Sequence, residues 1–433
     1  MKKTIKLAVV AVLALGATSA FATNGSNLIA TGVKARGMGG ASIVVSHGAE
    51  NGLANAALIT TVEGTEISFG GTIFMPKVSN TDGVMLRNPG TGVFIGDDSG
   101  SADSAADMSV IPEVSIVSKV SNNLFVGIGM WGTAGMGVDY RDPNNANTGQ
   151  MNMVTNLQLM QFGVPVAYKI NNFSASITPV LQYGSLDINY VMSGNLQEGM
   201  GAPAGQPDKT VGNGVAQDLQ FGYNIGLAYE IAGVTIGAMY KSQIDMEYKG
   251  QLSGAIQGFG VATYDNDKLS TPAEIGIGVS YAIKGHTIAV DYKNIKWSDA
   301  KGYEDFAWED QNVYAIGYEY AASGWAVRLG YNYADSPISE QKTNFGATGD
   351  TSTAGAADLS GSLVNTFNLL GFPGIVTSHM TLGGTYELNK QTSVDLAYVY
   401  APKVTETYTN FVSQDITTEH SQTSLSLAVN FNF

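Results

Sequence analysis

From about Glu63 onward the chain alternates apolar with small or polar residues, in segments broken by turn-forming residues. Leu425, Leu427, Val429, Phe431 and Phe433 alternate with Ser424, Ser426, Ala428, Asn430 and Asn432. Phe221, Tyr223, Ile225, Leu227, Tyr229 and Ile231 oppose Gly222, Asn224, Gly226 and Ala228. Ile275, Ile277, Val279, Tyr281 and Ile283 oppose Gly276, Gly278 and Ser280, and Tyr314, Ile316, Tyr318 and Tyr320 oppose Ala315, Gly317 and Glu319. A period of two places successive side chains on opposite faces of a strand, so each segment reads as a strand with one apolar and one small or polar face. The pattern predicts strands near 63–78, 107–120, 123–140, 151–169, 172–190, 216–231, 233–249, 271–284, 286–298, 309–321, 324–336, 376–389, 391–405 and 418–433.

The connections alternate in length. Ser121-Asn122, Ile170-Asn171, Ala232, Gly285, Ala322-Ser323 and Lys390 mark tight turns, with long polar segments at 79–106, 141–150, 191–215, 250–270, 299–308, 337–375 and 406–417 between them. Short turns at one end and long loops at the other are the habit of outer-membrane barrels. An even strand count brings both ends of the wall to the short-turn side. The expected fold class is therefore all-β: a transmembrane antiparallel β-barrel of about 14 strands, spanning 63–433.

No stretch after the N-terminus carries 18 uninterrupted apolar residues. Membrane insertion must then be as a closed barrel, because lipid tolerates no unpaired backbone. Charged residues are 14% of the chain, against about 25% in soluble domains. Gly (53), Tyr (21) and Phe (16) suit small lumenal faces and interfacial girdles. At the N-terminus Lys2, Lys3 and Lys6 precede the apolar run Leu7–Leu15, and Ala20-Phe21-Ala22 fits a cleavage site. Residues 1–22 thus read as a secretory signal, with the mature chain starting at Thr23 and lodging in the bacterial outer membrane. The closing Phe433 resembles the C-terminal signature of such barrels.

The 22 Lys and Arg, less those three signal lysines, leave 19 basic against 37 acidic side chains, a formal charge of −18. That balance argues against a nucleic-acid partner. There is no cysteine, which excludes thiolate metal sites. His47, His286, His379 and His420 lie far apart without metal-ligand spacing, and no GxSxG occurs. Neither an enzyme nor a cofactor is expected. By alternation Lys241, Asp291, Lys293, Glu319, Arg328, Glu387 and Asp395 point into the lumen, as they must, since Lys or Arg facing mid-bilayer lipid costs roughly 2–4 kcal/mol. They read either as a solvated lumen or as a network pinning a plug, with Arg328 between carboxylates. Lys241 and Arg328 are also candidates to hold a ligand carboxylate. Phe125, Trp131 and Met239 fall inward too, as ligand contacts or as filling around a plug. Residues 23–62, rich in Gly, Ala and Asn, do not fit the strand pattern; they either dangle on the short-turn side or fold up into the lumen as that plug, since a barrel this wide needs filling.

Four stretches taken together carry a family resemblance: TPAEIGIGVSYAIKGHTIAVDYKNIKWSDA (271–300), GWAVRLGYNYADSPI (324–338), MTLGGTYELNKQTSVDLAYVYAP (380–402) and IPEVSIVSKVSNNLFVGIGMWGTAGMGVDY (111–140). Their set and order resemble the FadL/TodX family of outer-membrane transporters for long-chain fatty acids and hydrophobic compounds. The family's plug carries Asn-Pro-Ala; here Asn55-Ala56-Ala57 stands in its place, and Asn51, Asn55, Ala57 and Leu58 occupy the expected register. The resemblance implies an N-terminal hatch at 23–62 and passive uptake of hydrophobic small molecules. It also implies lateral release through a gap near a kinked third strand, where Gly132, Gly135 and Gly137 are the candidates for the kink. Outer-membrane lipid and lipopolysaccharide are the expected surroundings, and a monomer the expected state. A general porin for hydrophilic solutes and a surface adhesin or phage receptor are the competing functions.

Overall fold

The computed structural model describes residues 23–81, 83–84, 100–141, 149–200, 202–342 and 359–433. The expected signal at 1–22 lies outside the described residues, as do parts of the loops expected at 79–106, 141–150, 191–215 and 337–375.

Fourteen wall strands run in chain order among the described residues. They begin with β1 (Thr65–Thr81), β2 (Ser109–Lys119), β3 (Leu124–Asp139) and β4 (Val154–Gly163, resuming at Val166–Ile170). β5 (Phe173–Met192), β6 (Ala216–Ile231), β7 (Val234–Lys241), β8 (Glu274–Ile283) and β9 (His286–Ile295) follow. β10 (Gln311–Ala322), β11 (Trp325–Ala334), β12 (Ser378–Asn389), β13 (Thr392–Thr409) and β14 (Asp415–Asn432) complete the wall. Each strand pairs antiparallel with the next. β14 then returns to β1, with Asn432 opposite Glu66 and Thr417 opposite Thr81. Closure leaves neither the first nor the last strand as an open edge, as a sheet that crosses lipid requires.

The turns explain the hairpins. Ala232 and Gly233 (φ 50° and 82°) and Lys284 and Gly285 (φ 49° and 82°) are both left-handed pairs, the type I′ geometry whose twist matches two-residue hairpins. Phe433 exchanges backbone hydrogen bonds with Thr65 at 2.9 and 3.0 Å, so both ends of the wall meet on the short-turn side.

Alternation sets the faces. On β8, Ile275, Ile277, Val279 and Tyr281 are 47–58% exposed and look outward to lipid, while Ser280 is buried within. Strand lengths run from 8 residues in β7 to 20 in β5, so one side of the wall stands taller than the membrane requires.

Two expected strands are shortened. β7 stops at Lys241 instead of running to 249, because Ser242 onward leaves the ladder with isolated bridges at Ile244–Thr271 and Glu247–Lys268. Ile244, Met246 and Tyr248 stay buried there, so the period of two continues beyond the wall. The fourth strand is interrupted at Val164 and Pro165, proline having no N–H to give the ladder.

Candidate functional site

Between Asn24 and Val62 the chain is buried except at Lys34, Ser42, Ser46, Gly48 and Thr61. Its polar groups bond to strands all around the barrel. Asn27 Nδ2 donates to Glu274 on β8 (3.1 Å), Gly39 N to Thr381 on β12 (2.9 Å), and Ser42 N and Ile43 N to Asp291 on β9 (2.7 and 2.8 Å). Asn55 Nδ2 donates to Leu227 O on β6 (3.1 Å), and Thr60 meets Ser174 on β5 (3.0 Å). The segment's partners thus lie on strands β5, β6, β8, β9 and β12. Gly39 shows how closely it approaches the wall: at φ 68°, a Cβ there would stand 2.6 Å from Tyr331 N.

Asn51 and Asn55 hold the segment's own turns. Asn51 Oδ1 accepts from His47 N, and Nδ2 donates to Ser42 O and Val45 O (both 3.2 Å). Asn55 Oδ1 caps the 3₁₀ turn Ala56–Thr61 by accepting from Ala57 N (3.2 Å), while Nδ2 also donates to Ile43 O (2.7 Å). Ala57 and Leu58 pack on Ala228 of β6.

Five of the seven inward charges, Lys241, Lys293, Glu319, Arg328 and Asp395, form ion pairs. Arg328 lies between carboxylates, 2.7 Å from Glu319 and 3.9 Å from Asp395, with Nη1 donating to Thr385 (2.7 Å). Lys34 of the segment reaches Asp395 at 3.7 Å. Lys241 and Lys293 share Glu274 at 3.3 and 3.7 Å. Glu387 stands at a register shift with Asn389 and is exposed.

The five candidate ligand contacts do not converge. Phe125 packs with Ala49, Ile59 and Val62 of the segment. Trp131 lies over Gly52, and Met239 packs on Met38, Ile43 and Val44. Of the five, Met239 and Lys241 line a cavity of about 60 Å³ between the segment and the wall, beside Glu274, Asp291 and Lys293. Arg328 lies apart, held in its own ion pairs.

Sequence reasoning missed a second zone toward the long loops. Trp297, Tyr303 and Trp308, in the loop after β9, stack with ring centroids 4.6, 5.0 and 4.8 Å apart. Phe259 meets Phe367 and Phe411 edge-on at 5.2 and 4.9 Å, and Phe367 lies 5.9 Å from Phe306 of the loop after β9. Both buried indoles have partners: Trp308 donates to Asn368 (3.0 Å) and Trp297 to Gln311 (3.3 Å). Phe367 comes from a helical turn that starts at Gly361, where Ser360 caps by accepting from Leu363 N (3.3 Å). A small void of about 10 Å³ opens among Met136, Leu252, Leu269, Tyr303, Phe306, Trp308, Asn368 and Phe372. The signal was present in Tyr303, Phe306 and Trp308, three aromatics in the segment 299–308 read as polar, and in the apolar run after Ser360.

The third strand is irregular where its glycines fall. Gly132 pairs with Met160 and Ala134 with Leu159, leaving Thr133 as the extra residue of a bulge. β2 pairs with β3 from Lys119–Phe125 only as far as Glu113–Trp131. Beyond that, Ser109–Pro112 pair only with β1, and β3 pairs with β4 across Gly132–Asp139. A Cβ on Gly137 would stand 2.1 Å from Thr155 O, so that position admits only glycine. Gly135 N donates to Ser26 O at 3.1 Å, and Ala134 pairs with Asn27.

A closed fourteen-stranded barrel of this kind defines an integral outer-membrane protein. The sequence profile of the family described as outer membrane protein transport protein (OMPP1/FadL/TodX) matches residues 8–347, and the chain belongs to that family. It is thus a transport protein of the outer membrane, of a family of channels for hydrophobic compounds, and not an enzyme. No curated protein sequence matches it. Among solved structures it is similar to a Pseudomonas aeruginosa FadL homologue, with TM-score 0.71 and 15% identity over 94% of this chain and 100% of the other. The P. putida toluene transporter TodX gives TM-score 0.64 at 16% identity over 93% and 99%. The Ralstonia pickettii toluene transporter TbuX gives 0.62 at 17% over 93% and 98%. At these identities the likeness is one of fold.

Proposed function

We propose that this chain carries long-chain fatty acids or other hydrophobic molecules passively across the outer membrane and releases them sideways through the barrel wall. One residue carries the reading. Met136 lines the aromatic void and also belongs to the stretch of β3 that has lost β2 as a neighbour. Capture zone and wall break therefore meet on one strand. Apolar ligand leaving water for such a lining gains about 0.8 kcal/mol per buried methylene, and sideways exit keeps that surface out of periplasmic water. The N-terminal segment acts as the hatch that denies hydrophilic solutes a straight bore. The toluene transporters of similar fold lend support to the hydrophobic class of cargo.

Reconstituted in liposomes, the protein should take up labelled oleate or toluene in a saturable manner while admitting glucose at the rate of protein-free vesicles. Rapid glucose entry with no saturable hydrophobe uptake would make it a general porin, the reading that the charged interior cavity around Lys241 and Glu274 favours.

A further inference from the structure

Both margins of the wall break are held by the same short stretch of the N-terminal segment. On the β2 margin stands Glu113, the last β2 residue paired with β3. Its Oε2 accepts from Gly32 N and from Arg36 Nη1, each at 3.1 Å, and its Oε1 accepts from Arg36 Nη2. Arg36 Nη1 also donates to Thr72 on β1 (2.8 Å). Arg36 and Glu113 are 2% and 6% exposed, so the pair is sealed from solvent. Two residues before Glu113, Ile111 fills the break. A Cβ on Gly132 would stand 2.4 Å from its Cγ2, and Leu28 and Phe74 pack behind it. On the β3 margin, the freed edge bonds to Ser26 and Asn27 instead of β2.

We propose that Arg36 is the latch of the lateral exit: through Glu113 it fixes the end of β2, keeps Ile111 seated on Gly132, and makes displacement of the N-terminal segment the condition for opening the wall. The inference rests on the lateral-release reading above. Its physical basis is the asymmetry of buried ion pairs. Removing one partner strands the other charge in a dry site, whereas removing both charges leaves little to drive a change. Arg36→Met would strand the Glu113 carboxylate, which can recover hydration only by turning away and drawing the end of β2 from β3. In Arg36→Met/Glu113→Gln no charge is stranded, and the amide oxygen still accepts from Gly32.

Trp131, opposite Glu113 and 1% exposed, reports on the break. The probe is quenching of its fluorescence by phospholipids brominated on their acyl chains. Trp325→Phe serves as background to remove the lipid-facing tryptophan, which is 42% exposed. The parent should be quenched weakly, Arg36→Met strongly, and the double variant as weakly as the parent, all three migrating as folded barrels before heating. Unchanged quenching in folded Arg36→Met overturns the latch. So does a double variant quenched as strongly as the single, which would mean that lost packing and not the stranded charge opens the wall. If quenching follows the predicted order while hydrophobe uptake stays constant, the latch stands and the lateral-release reading falls.

Discussion

Asn55 holds the 3₁₀ turn of the N-terminal segment with its side chain. Its Oδ1 caps the turn at Ala57 and its Nδ2 ties Ile43 and Leu227, with Ala56, where the family's motif has proline, at the first helical position. Asn55 is extended (φ −126°, ψ 93°), a conformation compatible with a following proline. Proline at the first helical position sacrifices no intrahelical hydrogen bond. Ala56→Pro should accordingly stabilise the protein by about 0.4–1 kcal/mol through the unfolded state, seen as a raised midpoint in urea unfolding of refolded protein; a lowered midpoint would show that the turn depends on alanine. Arg328 offers the opposite case. Alternation was enough to point it inward between carboxylates, because lipid excludes it from the other face. That Lys34 shares Asp395 with it depends on where the segment folds, which no local pattern encodes. Arg328→Met should cost about 3–5 kcal/mol by stranding Glu319 in particular, measured by the same unfolding; a loss below 1 kcal/mol would mean water already screens the pair.

At the scale of elements, strands were legible because each must satisfy lipid on one face and the lumen on the other. Where that constraint lapses, legibility lapses too. Past Lys241 the alternation at Ile244, Met246 and Tyr248 reflects burial beneath the loops and not a ladder. The stretch after Ser360 packs into the lumen mouth as a helical turn, which a search for strands and polar loops passes over. The aromatic zone was missed for the same reason: its rings arrive from four separate loops, and only their meeting makes a site. Trp308→Ala should leave the wall intact yet weaken binding of an apolar fluorescent probe by about 0.5–1.5 kcal/mol, roughly two- to tenfold in Kd. Undiminished binding would move the capture site elsewhere. Gly132 belongs to this scale as well, since any side chain there must displace Ile111.

For the whole molecule, closure by β14 on β1 and the hydrogen bonds of residues 24–60 to strands around the circumference are the basis for the proposed hatch. Deleting 23–60 should raise single-channel conductance in planar bilayers to that of an open bore; porin-sized conductance in the intact protein would refute the hatch. The central claim, that cargo leaves between β2 and β3, can be tested by locking that seam. The chain has no cysteine of its own. A Cβ at Gly132 would lie 3.7 Å from that of Ile111, within the span a disulfide requires. Uptake of labelled oleate or toluene should therefore be measured in liposomes carrying Ile111→Cys/Gly132→Cys, oxidised and then reduced. The account predicts that oxidation abolishes uptake and that reduction restores it; equal uptake in the two states would contradict it.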